Sequence, residues 1–469
     1  MSALDFARLQ FTVTTLFHFI FVPMSIGLAL WVAICQTAWH RTGSDVWLRA
    51  TRFWGRFMLI SVAIGVVTGI VQEFQFGMNW SLYSRYVGDI FGAPLAMEGL
   101  IAFFLESTFI GVWVFGWGRL PRRLHLAAIW LTSVGTILSA YFILAANSWM
   151  QHPVGYTINH ATGRAELTNI FSVLFNSTVL LAFPHTIFGA LATGGALVLA
   201  ICGYLMLRGR HSDVVSRSIR WALPFTLAAA LATMALGDAQ GRLMVQQQPM
   251  KMAAAEAVCK SGSGQSFSIF SVAGFTTNPC PNDISSIRIP HLLSLIEDLS
   301  WNGNIKGIDQ IAAAERAQYG PGHYVPPVGV EYWSFRLMIG AGMLLFLIPL
   351  AGMLLARRGR LERSAWFQRA AMLGVVLPIV ANWCGWIFTE VGRQPWVVFG
   401  LLKTSQANSP DVGVTSVVLT LAGYIVIYSV LIAIGGWLMW REVGHGPERP
   451  DDGSKAPPGS ENPDLVLAY

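Results

Sequence analysis

The sequence predicts an all-α polytopic membrane protein, and three observations lead to that fold class. Of the 469 residues, 54% are hydrophobic and only 12% are charged. The apolar residues fall into stretches of about twenty or more, the length that a helix needs to cross a bilayer. The 31 lysines and arginines collect in short segments between those stretches. That distribution is typical of membrane topology and argues against nucleic-acid binding.

Nine transmembrane helices are predicted. Basic residues concentrate in alternate loops, for example Arg41, Arg49 and Arg52 after the first span. By the positive-inside rule, the N-terminus lies outside and the C-terminus is cytoplasmic. The spans cover approximately residues 11–38, 54–76, 94–117, 126–149, 175–207, 218–237, 332–355, 370–389 and 413–440.

One long polar segment, residues 238–331, separates the six spans of residues 1–237 from the three spans of residues 332–440. Its backbone cannot lie in lipid, so the topology places it outside the membrane. Loops of this length are usually functional or disordered, and the helix-like text at residues 248–257 favours function. Residues 441–469, rich in Pro, Gly, Asp and Glu, are predicted to be a disordered cytoplasmic tail.

Two of the five cysteines, Cys259 and Cys280, lie in the long segment. An oxidising outer compartment permits a disulfide between them, which would restrain the loop. Two free thiols are the alternative.

Histidines inside the spans carry chemical information, because polar groups at membrane depth are costly and commonly functional. His18 lies in an aromatic run of the first span and His185 in the fifth. One imidazole in an apolar cleft suits a haem iron; a structural histidine bonded to a neighbouring helix is the alternative. Met338 in the seventh span would ordinarily be core. Arg336, two residues earlier, needs an anion such as a haem propionate, which favours a ligand role for Met338.

Two carboxylates, Glu98 and Glu106, share the third span. Eight residues are a little over two helical turns, so both project toward roughly one side, about 12 Å apart along the axis. They suit either a proton relay or a buried pair held by a basic partner.

The most specific motif follows Glu390 at the end of the eighth span, where residues 392–396 read Gly-Arg-Gln-Pro-Trp. The proline ends the helix, which leaves the carboxylate facing inward and the Arg393 guanidinium at the interface. A plain ion pair between Glu390 and Arg393 is the alternative.

At these residues the sequence resembles subunit I of the cytochrome bd quinol oxidases, from residue 6 to about residue 440. The resemblance rests on the Gly-Arg-Gln-Pro-Trp string, the Phe-Arg-Leu-Met string ending at Met338, the spans holding His18 and His185, Met-Glu at 97–98, and Lys-Met-Ala-Ala-Ala-Glu at 251–256. It implies the haem-containing subunit of an electrogenic quinol:dioxygen oxidoreductase in the bacterial plasma membrane. Subunit II, small single-span subunits, lipid, menaquinol or ubiquinol, and dioxygen are the implied partners.

The resemblance also implies the cofactor ligands. His185 and Met338 match the axial ligands of a low-spin haem b, with Arg336 beside it, and two axial ligands suit electron transfer. His18 matches the ligand of haem d and Glu390 that of a high-spin haem b. Which of His18, Glu98 and Glu390 serves which high-spin iron stays open.

Further residues match supporting roles in the same family. Glu98 matches a carboxylate at the dihaem site, and Glu106 and Ser139 match a polar route for protons. Arg393 would neutralise haem propionates, and Gln394 and Trp396 of its motif would be further cofactor-supporting residues.

Lys251 and Glu256 match residues of the outer loop implicated in quinol oxidation, and the loop has the short form. A carboxylate can accept a quinol proton as a general base, and a lysine can hold the headgroup oxygen. A solvated ion pair between the two is the alternative.

Three other functions stay open from the sequence. A transporter would explain buried carboxylates and histidines, but not His, Met and Arg at one depth on separate spans. A haem b relay that passes electrons to another subunit, or a haem d-free, cyanide-insensitive quinol oxidase, would share most of these residues. Because the ligand candidates lie near outer ends, the haems should form a layer there, and protons must cross from inside without a pump.

Overall fold

The computed structural model of the chain describes residues 2–272 and 285–447. In that part of the chain, nine helical spans are long and apolar enough to cross a membrane, which confirms the predicted number. The helices are α1 (Ala3–Thr42), α2 (Asp45–Met78), α3 (Ser81–Met97), α4 (Phe104–Phe115), α5 (Arg122–Gln151), α6 (Ile170–Leu174), α7 (Ser177–Leu207), α8 (Asp213–Gln247), α9 (Pro249–Ala255), α10 (Leu292–Asp298), α11 (Ile308–Tyr319), α12 (Val328–Arg357), α13 (Ala365–Leu373), α14 (Val376–Val391) and α15 (Val414–His445).

Two of the spans are composite. A π-helical segment, Glu98–Phe103, joins α3 to α4 in the third span, and α13 and α14 together form the eighth. The π-helical turn begins at one of the predicted functional carboxylates, and such turns are frequent at functional sites.

Several helices run beyond the predicted spans. α8 continues to Gln247, ten residues past the predicted end at 237. A helix satisfies its own backbone groups in water as well as in lipid, and the pair between Asp238 and Arg242, 2.6 Å apart and four residues along the helix, supports the extension. The segment between the sixth and seventh spans is therefore residues 248–327, and the end of the bundle that carries it is called the loop side below.

Residues 248–327 form a folded layer in the parts that the structure describes. Its helix α9 packs against α8, α11 and α12, and buried Met250 and Ala254 of α9 meet Ile308 and Ile311 of α11. The predicted helical segment within residues 248–257 is therefore the helix α9. The sequence predicts that the tail begins at residue 441, but residues 441–445 belong to α15, because the helix continues past the apolar stretch. Cys280, the partner proposed for Cys259, and the rest of the tail from residue 448 onward lie outside the described residues, so the disulfide and that part of the tail stay predictions.

Four small antiparallel sheets, each of two strands, complete the described fold on the loop side. The pairs are β1 with β2, β3 with β6, β4 with β5, and β7 with β8. The strands are β1 (Tyr156–Asn159), β2 (Arg164–Leu167), β3 (Gly262–Ser263), β4 (Phe267–Val272), β5 (Ser285–Ile289), β6 (Asn304–Ile305), β7 (Trp396–Val398) and β8 (Leu402–Lys403).

The backbones of α1 and α7 approach each other closely where the two helices cross. A Cβ added to Gly194 of α7 would lie 2.7 Å from Cα of Gly27 in α1, so the crossing needs glycine on both helices. The largest apolar cluster, which includes Trp31, Trp54 and Phe57, fills the half of the bundle opposite the loop side.

Residues 392–413 cover the loop-side ends of α2, α3 and α5. Phe399 N–H donates to the Met150 carbonyl at 3.0 Å, and Ser409 N–H donates to the Asn79 carbonyl at 2.8 Å. These bonds fix the end of α14, and with it Glu390, against α5.

Candidate active site

His185 of α7 is held in one tautomer. Its Nδ1 lies 2.9 Å from the Thr233 carbonyl oxygen of α8. Because a carbonyl can only accept, Nδ1 carries the proton and Nε2 keeps its lone pair. A Cβ at Gly237, one turn further along α8, would lie 3.0 Å from His185 Cε1, so glycine is required beside the ring. A bonded Nδ1–H with a free Nε2 is the usual arrangement of a metal-ligating histidine.

Met338 of α12 faces the same group of helices. A Cβ at Gly385 of α14 would lie 2.9 Å from its Sδ. Asn382 lies one turn from Gly385 on α14, and Gly189 lies one turn from His185 on α7. Asn382 Oδ1 is 3.8 Å from the position that a Cβ on Gly189 would take, so α14 contacts α7 there. His185 and Met338 thus lie on two of four helices, α7, α8, α12 and α14, that contact one another near these residues.

His18 of α1 repeats the arrangement found at His185. Its Nδ1 lies 2.9 Å from the Thr68 hydroxyl of α2. That hydroxyl donates to the Ile64 carbonyl at 2.9 Å, so it accepts from His18 Nδ1–H and leaves Nε2 with a lone pair. A Cβ at Gly69 would lie 3.1 Å from His18 Cε1. Both predicted histidine ligands therefore have a bonded Nδ1 and a glycine against the ring.

Glu390 and Arg393 form an ion pair at the loop-side end of α14. Asn147 Nδ2 of α5 donates to the other Glu390 oxygen at 2.8 Å. The Arg393 residue is only 3% exposed, yet its Nε and Nη1 find no hydrogen-bond partner within the described residues. Buried donors are normally satisfied, so Arg393 retains the capacity to bind an anion. The sequence predicted either an ion pair between Glu390 and Arg393 or an inward-facing Glu390 carboxylate, and the structure has both.

The other residues of the Gly-Arg-Gln-Pro-Trp motif contact the protein itself. Gln394 Nε2 donates to the Glu390 carbonyl at 3.3 Å, and its Oε1 accepts from Thr404 at 2.9 Å. The Trp396 ring packs on Tyr319 and Tyr324 of residues 248–327, with centroids 4.9 and 5.8 Å away. Trp396 therefore joins the two loop-side segments rather than lining the surroundings of Arg393.

The two carboxylates of the third span both meet α5. Ser139 Oγ donates to Glu98 Oε1 at 2.6 Å, whereas the sequence analysis grouped Ser139 with Glu106. Glu106 packs one turn lower, where a Cβ at Gly135 would lie 2.9 Å from its backbone nitrogen. The prediction that both carboxylates face one side agrees with this placement. Glu73 of α2, which the sequence analysis missed, lies beside Glu98.

The last two turns of α5 contribute two polar residues that the sequence analysis also missed. Asn147 binds Glu390, and Gln151 lies one turn further on, where its Oε1 accepts from Lys251 Nζ at 2.7 Å. With Gly135 and Ser139 they form a line at multiples of four residues, called the α5 stripe below. The signal was a cluster of amide side chains at the end of an apolar span.

Lys251 of α9 is 2% exposed. Burial lowers the pKa of its ammonium to about 7, and nearby Arg393 acts in the same direction, whereas Glu331 and Glu390 oppose the shift. Below about pH 7 the side chain is an ammonium, and above it an amine.

Glu256, at the end of α9, is 6% exposed and pairs with Arg336 of α12 at 2.5 Å. Burial raises the pKa of its carboxyl group, while Arg336 lowers it. Arg336 also donates from Nε to the Ser268 carbonyl at 2.7 Å. The alternative of a solvated pair between Lys251 and Glu256 is wrong, because each is buried with a different partner.

The donor set fits iron held in a macrocycle better than a bare ion. Among the residues that the structure describes, no three His, Cys, Asp or Glu side chains cluster as a metal site. His18, His185 and Met338 could each supply one axial donor, and a haem supplies the remaining four.

Comparison with known proteins agrees with the fold and the motifs. Residues 6–447 match the family model described as cytochrome bd terminal oxidase subunit I. The chain is 44% identical over 449 residues to the cytochrome bd ubiquinol oxidase subunit 1 of Bacillus subtilis (strain 168), covering 96% of this chain and 95% of that protein. It is 35% identical to the cytochrome bd-II ubiquinol oxidase subunit 1 of Escherichia coli (strain K12), covering 87% and 90%.

A solved structure shares the fold. The bd oxidase from Geobacillus thermodenitrificans superposes with a TM-score of 0.85 over 95% of this chain and 99% of that one, at 23% sequence identity.

Proposed function

The chain belongs to the cytochrome bd terminal oxidase subunit I family, a multi-pass subunit of a terminal respiratory oxidase in the bacterial plasma membrane, and from this premise we propose a division of labour. Quinol is oxidised on the loop side, which faces outward, and dioxygen is reduced to water at a dihaem site nearby. The observation that carries the proposal is the α5 stripe, whose residues contact Glu106, Glu98, Glu390 and Lys251 in that order along one helix.

Three haems complete the proposed site. His185 and Met338 would hold a low-spin haem b, His18 would hold haem d and Glu390 would hold a high-spin haem b. When bound, these groups would supply one-electron transfer and a site for dioxygen. Support comes from the free Nε2 lone pairs of both histidines, the glycines against the ligand side chains, and the unsatisfied Arg393 donors, which suit propionates.

Lys251 and Glu256 bind and deprotonate the quinol. The Lys251 ammonium donates to a headgroup oxygen, a charge-assisted bond that is shorter and stronger than a neutral one. Oxidation to the quinone releases two electrons and two protons, and Glu256 accepts one of those protons as general base. Its ion pair with Arg336 keeps the carboxylate in place between turnovers.

Protons for water formation come from the opposite, cytoplasmic side. Glu106 and Glu98, both against α5, lie in the order that a route toward Glu390 requires. Electrons enter from the outer face and protons from the inner one, so turnover separates charge without a pump.

A reduced-minus-oxidised visible spectrum of the purified complex tests this assignment. Replacement Met338→Leu should remove the low-spin haem b signal and leave the signals of the other two haems. Met343→Leu is the matched control, because Met343 lies on the same helix with half of its surface exposed and should change nothing. An unaltered low-spin signal in Met338→Leu would refute the ligand, and a folded complex without haem would refute the oxidase.

A further inference from the structure

Glu331 is a buried carboxylate to which the proposed function gives no role. It lies in the first turn of α12, on the loop side, and is 0% exposed. Neither of its oxygens has a hydrogen-bond partner within residues 2–272 and 285–447. A desolvated carboxylate of this kind is costly unless an opposite charge compensates for it.

The backbone of Gly392 brings Glu331 and Lys251 together. A Cβ on Gly392 would collide with Glu331 Oε2 and would lie 2.6 Å from Lys251 Cγ. Because Gly392 has no side chain, the Gly-Arg-Gln-Pro-Trp motif leaves room for a carboxylate and a lysine to approach the same point. Helices α9 and α12, which carry the two residues, pack directly on each other.

Three charged side chains act on Lys251: Arg393 disfavours its ammonium form, and Glu331 and Glu390 favour it. Glu390 is already paired with Arg393 and bonded to Asn147, so Glu331 is the carboxylate whose charge is least neutralised by other partners.

Helices α8 and α11 also pack on α9, and α5 meets it through the uncharged Gln151. At the loop-side end of α8, Asp238 and Arg242 pair with each other at 2.6 Å. On α11, the buried Glu315 lies beside Tyr319. Asp238 and Arg242 are thus paired with each other, and Glu331 is the buried carboxyl group that meets the point at Gly392 which Lys251 also approaches.

We propose that Glu331 is a positioning residue of the quinol site, whose carboxylate keeps the Lys251 side chain charged and aimed at the quinol oxygen. The inference rests on the proposed role of Lys251 in binding quinol. A nearby carboxylate would explain how the buried Lys251 side chain stays charged and so donates a charge-assisted hydrogen bond. The pKa of about 7 for Lys251 supports it, because the ammonium is then balanced so closely that the loss of one neighbouring charge changes its occupancy at neutral pH.

The test is the pH dependence of quinol oxidation by the purified complex, with short-chain ubiquinol as substrate. The alkaline limb of kcat/KM reports the free enzyme. In Glu331→Gln that limb should move to lower pH by about one unit, as expected for the loss of a close buried charge. KM should rise by about tenfold at pH 8 with little change in kcat, and the haem spectrum should stay intact. In the Lys251→Gln background, Glu331→Gln should cause no further shift.

Two variants make the result decisive. Glu315→Gln removes a buried carboxylate, 8% exposed, on another helix, and should leave the profile unchanged. Glu331→Asp keeps the charge and should hold the alkaline limb within about half a unit of the wild-type position; it also carries the test if Glu331→Gln fails to assemble.

An unmoved limb in Glu331→Gln, the same shift with and without Lys251, or a full-unit shift in Glu331→Asp would overturn the inference. A wild-type KM and profile in Lys251→Gln would instead refute the proposed quinol role of Lys251, so the two failures are distinguishable.

Discussion

At the scale of single residues, glycines decide where the ligand side chains lie. Gly69, Gly237 and Gly385 each face one of His18, His185 and Met338 at a distance where an added Cβ would press on the ligand side chain. In a close-packed helix bundle, one added methyl group cannot be absorbed without moving its neighbour. The position of each ligand therefore depends on a residue that has no side chain.

The substitution Gly385→Ala tests this dependence. Its Cβ would lie 2.9 Å from Met338 Sδ, so the thioether must move and the low-spin haem b should be lost or converted to a high-spin form in at least half of the molecules. The reduced-minus-oxidised spectrum measures the change. Gly342→Ala on α12, where a Cβ meets nothing within 4 Å, is the control and should have the wild-type spectrum. Identical spectra for the two variants would show that Gly385 does not fix Met338.

Individual residues were predictable from the sequence only where a local motif marked them. Glu390 and Arg393 stand in one unusual string, and the structure pairs them. Asn147 and Glu331 look like ordinary helix-end residues, because the residues that they meet, Glu390 and Gly392, lie about 240 and 60 positions away along the chain. Contacts of that kind arise from helix packing, which no local pattern encodes.

At the scale of elements, the lengths of the apolar stretches predict the number and order of the spans. They do not predict where each helix ends. The sequence ends the sixth span at residue 237, but α8 continues to Gln247. The cause is that lipid thickness limits the apolar stretch, whereas backbone bonding and the Asp238–Arg242 pair determine the helix. The π-helical segment at Glu98 was likewise invisible to a search based on 3.6-residue periodicity.

The contact of Glu106 with the α5 stripe predicts that Glu106 belongs to the proton route, and a substitution can test this. Replacement Glu106→Gln keeps the shape of the side chain but removes its ability to exchange a proton at working pH. Oxidase turnover should fall by at least about tenfold, a magnitude typical of a lost proton-transfer group. The haem spectrum should stay unchanged, because Glu106 contacts α5 at Gly135 and none of the proposed ligands.

The control for that variant is Glu166→Gln, on the loop-side strand β2, which should turn over at the wild-type rate. Wild-type turnover in Glu106→Gln would remove Glu106 from the route, and a lost haem signal would show a structural role instead.

At the scale of the whole molecule, the residues proposed for quinol oxidation and the largest apolar cluster lie toward opposite ends of the bundle. The large aromatic cluster around Trp31 and Trp54 lies away from the loop side, while Lys251, Glu256, Glu390 and Arg393 lie at or next to it. If the loop side faces outward, as the distribution of basic loops predicts, quinol protons leave on the outer side and the protons that form water cross from the cytoplasm.

This arrangement predicts the stoichiometry of a vesicle experiment. The complex, reconstituted with the loop side outward and supplied with quinol, should acidify the medium by about one proton per electron, because each oxidised quinol releases its own two protons there. A membrane potential, negative inside, should form as protons are consumed within, and a protonophore should abolish it without slowing turnover. A ratio near two would mean that the protein also pumps. The absence of both net acidification and a membrane potential would mean that protons for water come from the outer side, and the route through Glu106 and Glu98 would then be wrong.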